Sequence, residues 1–379
     1  MVWVCLALAG VSLAISLPLG ALLVGSGYRW GWIDPIGGEA HKRHERAVPN
    51  TGGIAIFIAV AMPMTAALLS VWLLSPAWWH QWLPAVGVHL DGLKSSSSMG
   101  GGVLSAMGLL HLLGLWDDRR PLGPYVKLAG QLLIALGLVT LCDMRVLEFL
   151  AHQGAWGQVL TLVLSLLWIV VIINAFNFLD NMDGLAGGVA AIIAGLYLAA
   201  TLLAGQWFVA ALTALLLGAL VGFLVFNFPP AKLFMGDGGS LVVGLLLAVI
   251  SIRTTYFAPE GDPDIVLRVP GHWYGALMPL MVMAVPLYDF VSVVVIRLAQ
   301  GRSPFRGDQS HFSHRLVAGG LTRRRAVVVI WLCTLATGLG GVMLGFLDHW
   351  QAMIAAAQSA TVLVLLAVLE TSRGLFLGR

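Results

Sequence analysis

Residues 207–226 read WFVAALTALLLGALVGFLVF. The run carries no charge and is apolar on nearly every side of a 3.6-residue period, so as a helix it has no face to offer water. Its length matches the roughly 20 residues that cross the hydrocarbon core of a bilayer. Its small residues, Gly218 and Gly222 among them, suit the close approach of a second helix. Residues 159–173, VLTLVLSLLWIVVII, have the same character. The whole chain of 379 residues is 59% hydrophobic and 10% charged, with a mean hydropathy of +0.90. A soluble core of this size would show polar outer faces, and a β-barrel would alternate with period two; neither pattern is present. The fold expected is therefore all-α, a polytopic integral membrane protein. No polar stretch much exceeds about 30 residues, so 1–379 reads as one transmembrane domain.

Apolar runs fall near 3–25, 53–74, 101–116, 128–142, 158–177, 184–203, 207–227, 238–255, 273–296, 326–346 and 352–371. That is about eleven transmembrane helices, an odd number that places the termini on opposite sides. The first run has no positive residue before it and no clear cleavage site, so it reads as a retained helix. If 28–52, 117–127, 178–183, 228–237, 297–325 and 372–379 share one face, the other keeps only Lys94, Arg145, Arg253 and Arg268 of the 21 Lys and Arg. The positive-inside rule makes the basic face cytoplasmic, with the N-terminus outside and the C-terminus inside. The expected location is the inner (plasma) membrane with the active site facing the cytoplasm. On the outer side, Trp78, Trp79 and Trp82 read as an interfacial anchor, and Ser95 to Ser98 as a flexible link. The net charge of +3 gives no reason to expect a nucleic-acid partner. Cys5, Cys142 and Cys333 have neither disulfide nor metal spacing and read as packing residues.

In so apolar a chain the placement of acidic residues carries information. Asp117, Asp118, Asp180, Asp183 and Asp237 all stand at the ends of apolar runs, on the basic face. Carboxylates gathered at one mouth of a bundle suit a cation or a phosphorylated substrate. Asp117-Asp118-Arg119-Arg120 precedes Lys127; adjacent carboxylates repel unless a cation compensates, although a solvated helix end with Asp-Arg pairs is the competing reading. Asn174, Asn177 and Asp180 recur every three residues, so a continuing helix would present two amides and a carboxylate on one face to a hard cation. Asp183-Gly184 follows, and a polar cap is the alternative there. Gly236-Asp237-Gly238-Gly239 opens a helix where a carboxylate could hold Mg²⁺ or simply cap. In the loop after the ninth run, a local helix would turn His311 and His314 toward one ligand. Arg302, Arg306 and Arg315 would add a cationic patch fit for a pyrophosphate. A zinc pair would want a third His or a Cys at ligand spacing, which this loop lacks. His41 to Gly53, with His44 in it, is either a positive-inside anchor or a ligand loop.

In this order, Asp34-Pro35 with His44, Pro49 and Gly52-Gly53, then Asp117-Asp118, Asn174 to Gly184, Phe234 to Ser240, Pro286 with Asp289, and Ser303 to Leu316 resemble the polyprenyl-phosphate N-acetylhexosamine-1-phosphate transferases. The branch acting on UDP-N-acetylmuramoyl-pentapeptide has three consecutive histidines in the last loop. His311-Phe312-Ser313-His314 is more similar to the His-x-His-His of the branch transferring N-acetylglucosamine 1-phosphate, with Ser313 in place of the middle histidine. The resemblance implies attack of a polyprenyl phosphate on the β-phosphorus of a UDP-sugar, with UMP released and lipid-linked envelope glycan synthesis begun. It also implies Mg²⁺, with Mn²⁺ as the substitute, held by Asp237 and Asn177. Asp117 and Asp118 would lie close to the lipid phosphate or the metal, and Lys127, Arg302, His311 and His314 would hold phosphates. Phe234 would stack on uracil and Asp183 hydrogen-bond to it, while Asn174 and His44 complete the substrate-binding candidates. Asp117 or Asp118 would act as base for direct attack, or Asp180 would form a covalent phospho-sugar intermediate. An ion-coupled transporter is the competing class. It would want ionisable groups near the midplane and an internal repeat, and Asp289 is the main feature leaning that way.

Overall fold

A backbone inside hydrocarbon must satisfy its own hydrogen bonds, so each apolar run is expected as a helix. The structure is a computed structural model describing residues 1–34, 47–254, 273–304 and 310–376. Its elements in order are α1 (Val2–Trp30), β1 (Ile33–Asp34), β2 (Val48–Pro49), α2 (Gly52–Leu73), α3 (Pro76–Trp82), α4 (Pro84–Gly87) and α5 (Leu90–Arg119). They continue through α6 (Pro124–Leu141), α7 (Ala155–Leu179), α8 (Leu185–Leu203), α9 (Trp207–Asn227), α10 (Asp237–Arg253) and α11 (Met278–Val282). The last are α12 (Ala284–Ala299), α13 (Phe312–Ala318), α14 (Arg323–Met343) and α15 (His349–Phe376). Among the described residues, nine helices are long and apolar enough to cross a membrane, or up to ten if one bent pair counts as a span. The protein is an all-α multi-pass membrane protein. Among the described residues a small sheet pairs β1 with β2 antiparallel, Ile33 opposite Pro49.

The bundle is organised around α10. Every residue from Gly238 to Ile252 is buried, as befits a helix apolar all round and enclosed by protein rather than lipid. Glycines let three neighbours reach its backbone. A Cβ on Gly53 of α2 would lie 2.3 Å from Gly239 N, one on Gly114 of α5 would lie 2.5 Å from the Asp237 carbonyl, and one on Gly244 would lie 2.7 Å from Ile173 Cα of α7. Without lipid-excluding hydrophobic gain between helices, such approach is what makes dispersion contacts dense. The small residues of α9 serve the same purpose against α1. Gly218 and Gly222 admit the α1 backbone, and Ser12 and Ser16 donate to Leu215 O and Ala219 O at 2.6 and 2.8 Å.

Two expectations are corrected. Ser95 to Ser98 are not a flexible link, since α5 runs through them for 30 residues. Ser95 and Ser97 turn their hydroxyls back onto Gly92 O and Lys94 O within the helix, which absorbs their polarity. The ninth run is not one straight span: Tyr274–Val282 and Ala284–Ala299 meet at 72°. Pro286 has no N–H to bond the carbonyl four residues earlier, Val282, and its ring crowds that carbonyl, so the helix breaks there.

Candidate active site

The site is built at the N-terminus of α10. Gly236 has φ +68, and a Cβ there would lie 2.4 Å from Asn50 Oδ1 and 2.8 Å from Asp118 Oδ2, so only glycine fits. Asp118 closes the helix from outside it: Oδ1 accepts from Asp237 N at 2.9 Å and Oδ2 from Gly238 N at 3.0 Å. Asn50 Nδ2 also donates to Oδ1, at 3.1 Å. A carboxylate on the free N–H groups of a helix start is favourable both as a cap and against the helix dipole. From the side of α2, Phe234 N donates to Pro49 O, and Gly52 N and Gly53 N donate to Phe234 O and Met235 O, so α2 and the 234–236 turn share a backbone frame. Deeper in α5, buried His111 stacks on Phe57 with ring centroids 4.2 Å apart and meets Gly238 O at 2.8 Å. Asp118→Ala is expected to destabilise this corner by about 1–2 kcal/mol. Asp118→Asn, which keeps one acceptor, should cost less. Thermal unfolding of the two variants in detergent micelles checks the order, and equal stabilities would refute the cap.

Lys127, at the start of α6, ties the ends of four helices together. Its Nζ donates to Asp117 Oδ2 at 3.1 Å and Asn177 Oδ1 at 3.2 Å, and pairs with Asp237 Oδ2. Asn177 Nδ2 in turn donates to Asp237 Oδ1 at 2.8 Å and Ser240 Oγ at 2.9 Å, and Leu122 N donates to Asp117 Oδ1. The side chains of Lys127, Asp117 and Asp237 are 14%, 17% and 24% exposed, so the junction is reachable from one end of the bundle. Asp117, Asp118 and Asp237 outnumber the one ammonium, which leaves an excess of negative charge suited to a cation. One turn inward on the same two helices, Asn174 Nδ2 meets buried Gln131 Oε1 at 2.5 Å.

A second group lies on α13. Asp289, fully buried, accepts from His311 Nδ1 at 2.8 Å and from Phe312 N at 3.0 Å, which fixes the ring and leaves Nε2 for a ligand. His311 rests edge-on against Phe178 at 5.7 Å, next to Asn177 in sequence, and Ser313 Oγ donates to Asn181 Oδ1 at 2.7 Å. These contacts join the histidine helix to the α7–α8 turn.

The structure thus brings Asp117, Asp118, Lys127, Asn177 and Asp237 together, with Asn174 beneath them, His311 just before the adjoining α13 and His314 in it. Asp180 caps the C-terminus of α7: its N–H still donates to Phe176 O at 3.2 Å, and with φ −78 and ψ 53 the chain turns away only after it. His311 is the residue before α13, in extended backbone, and its ring stands edge-on beside that of His314 with centroids 6.4 Å apart. Asp183 Oδ2 accepts from Ala231 N at 2.9 Å, so it braces the 228–234 loop in which half-buried Phe234 sits. Arg302 is exposed, and its N–H donates to Arg297 O at 2.8 Å. His44 lies outside the described residues. Sequence reasoning passed over Asn50, Gln131 and Asn227. Asn227 receives Gly184 N and donates to Leu233 O, joining two loops. The signal for Gln131 was its place one helical turn after Lys127 in an apolar run.

A family model described as glycosyl transferase family 4 matches residues 101–255. The chain is similar to the decaprenyl-phosphate N-acetylglucosaminephosphotransferase of Mycolicibacterium smegmatis, 32% identical over 368 residues that cover 90% of this chain and 85% of that one. It is 28% identical to the probable undecaprenyl-phosphate N-acetylglucosaminyl 1-phosphate transferase of Bacillus subtilis, over 82% of this chain and 77% of that one. It is 27% identical to the undecaprenyl-phosphate alpha-N-acetylglucosaminyl 1-phosphate transferase of Yersinia pestis, again over 82% and 77%.

Proposed function

This chain belongs to glycosyl transferase family 4, and on that premise we propose that it transfers N-acetylglucosamine 1-phosphate from a UDP-linked donor to a polyprenyl phosphate in the membrane, releasing UMP. The observation that carries this reading is the junction at Lys127, where Asp117, Asn177 and Asp237 from three other helices meet one ammonium. Both reactants are anions, so a site for them needs cationic groups and a way to offset charge on the departing UMP.

Asp117 Oδ2, Asn177 Oδ1 and Asp237 Oδ2 are hard oxygen donors converging on a positive centre. That donor set fits Mg²⁺, which takes one or two carboxylates and completes its shell with water and phosphate oxygens. Among the described residues no three His, Cys, Asp or Glu gather as a metal cage. Asp237 and Asn177 would hold it, and when bound it would neutralise charge on the pyrophosphate. Asp117 faces the reactants and orients the lipid phosphate, while Asp118 acts through α10, both of its oxygens being engaged there. Lys127 and the His311 Nε2 set aside by Asp289 hold phosphate oxygens. Asp183 and Phe234 take the uracil. The basic end of the bundle is cytoplasmic, where UDP-sugars are made available.

The branch using a muramoyl-pentapeptide donor is disfavoured by Ser313, whose hydroxyl is committed to Asn181. A transporter loses its main support, because Asp289 is held by His311 and Phe312 N rather than poised for an ion. Membranes containing the protein are expected to turn over UDP-N-acetylglucosamine to UMP only when Mg²⁺ and polyprenyl phosphate are both present. Continued turnover without the lipid, or none with both, would reject this function. The route through Asp180 makes a separate demand: a radiolabelled sugar phosphate must stay on the protein when the acceptor is withheld.

A further inference from the structure

α13 has seven residues, too few to be stable by its own hydrogen bonds, so its position is set by what grips it. Asp289 and Asn181 hold its first turn, and the Phe312 ring meets Tyr288 edge-on at 6.0 Å. Its other grip comes from the last helix of the chain. Arg315 Nε donates to Glu370 Oε2 of α15 at 2.7 Å, Arg315 Nη2 donates to Ser292 Oγ of α12 at 3.0 Å, and Arg315 Nη1 donates to Ser310 O. The second Glu370 oxygen accepts from Tyr288 OH, from the residue next to Asp289. Glu370 is nearly buried, with 6% of its side chain exposed, against 21% for Arg315. A carboxylate in a membrane-spanning helix is costly unless paired, and here both of its oxygens are used.

This arrangement takes Arg315 away from the phosphate-binding patch that its place beside His314 suggests. The guanidinium fork spans two helices and a loop carbonyl, a geometry that a planar, multidentate donor supports and a lysine does not. We propose that Glu370 is a positioning residue for the transfer reaction: acting through Arg315 and Tyr288, α15 locks α13 and sets where His311 and His314 present their rings. The inference rests on the function proposed above, in which His311 holds phosphate oxygens. A displacement of about 1 Å at such a site costs on the order of a hundredfold in rate.

The experiment uses the full chain in membranes, with UMP release measured against UDP-N-acetylglucosamine concentration. Glu370→Gln and Arg315→Gln are each expected to lower kcat/KM by roughly 10- to 100-fold, and the double variant to be no worse than Arg315→Gln, which already breaks the connection to Glu370. If Arg315 bound phosphate instead, Arg315→Gln would lose activity while Glu370→Gln kept the wild-type rate, and that result overturns the proposal. Tyr288→Phe, which removes one hydrogen bond, carries the test if the Glu370 variant does not accumulate, and full activity in it counts against the lock. Hydrogen exchange of residues 312–318 gives a readout independent of turnover. Faster exchange in Glu370→Gln supports the lock, and unchanged exchange overturns it even if the wild type proves inactive toward this donor, a result that would instead reject the proposed function.

Discussion

Asp237→Asn is expected to abolish UMP release, lowering kcat by roughly 10²–10⁴-fold, while the protein still inserts and purifies as a single species. The carboxylate touches Lys127 and Asn177, and under the proposed function it would be the principal ligand for Mg²⁺. Losing one charge-stabilising group of this kind costs several kcal/mol of transition-state stabilisation, with a tenfold rate change for each 1.36 kcal/mol. The amide keeps the size of the side chain and its Oδ1, so the hydrogen bond from Asn177 survives and the helix ends stay assembled. Two measurements check this: the rate at saturating donor and lipid, and the Mg²⁺ concentration giving half-maximal rate, which should rise in any residual activity. A variant with wild-type rate and unchanged Mg²⁺ dependence would remove Asp237 from the centre.

Gly114→Ala should be almost as damaging although it alters no polar group. A Cβ at Gly114 would lie 2.5 Å from the carbonyl carbon and oxygen of Asp237 and from Gly238 N, and all three are backbone atoms that cannot rotate away. α5 and α10 must then part near the point where Asp118 caps α10 and Asp117 meets Lys127. A shift of about 1 Å there predicts a loss on the order of a hundredfold in kcat, together with lower thermal stability from overpacking by about 1–3 kcal/mol. Gly108, two turns earlier on α5, has nothing within 4 Å of its Cβ position, so Gly108→Ala is the matched control and should leave both quantities unchanged. Equal behaviour of the two variants would show that the backbone contact is not what holds the site.

Much of the site was legible because polar residues stand out against apolar surroundings. Asp117, Asn177 and Asp237 were identifiable from their positions at the mouths of apolar runs, and Lys127 from its place before the next run. The division of labour between adjacent Asp117 and Asp118 was not legible, since it depends on α10 arriving with two free N–H groups beside the second carboxylate. Arg315 was misplaced for the same kind of reason: its partner Glu370 lies 55 residues away, and nothing local in the sequence distinguishes a phosphate-binding arginine from one committed to a distant carboxylate.

The sequence by itself determined that this chain is a helical multi-pass membrane protein and that its acidic and amide residues belong to one end of the bundle. Transfer of an apolar segment into a bilayer depends on that segment's own surface, summed residue by residue, so it can be read without knowing any partner. Only the tertiary structure decided that Lys127 joins four helices, that Asp118 caps α10, that Asp289 fixes His311, and that the ninth apolar run is bent. Each of these is a hydrogen bond or backbone approach between segments far apart in the chain. Its energy exists only once glycines such as Gly53, Gly114 and Gly239 have let the helices reach contact distance.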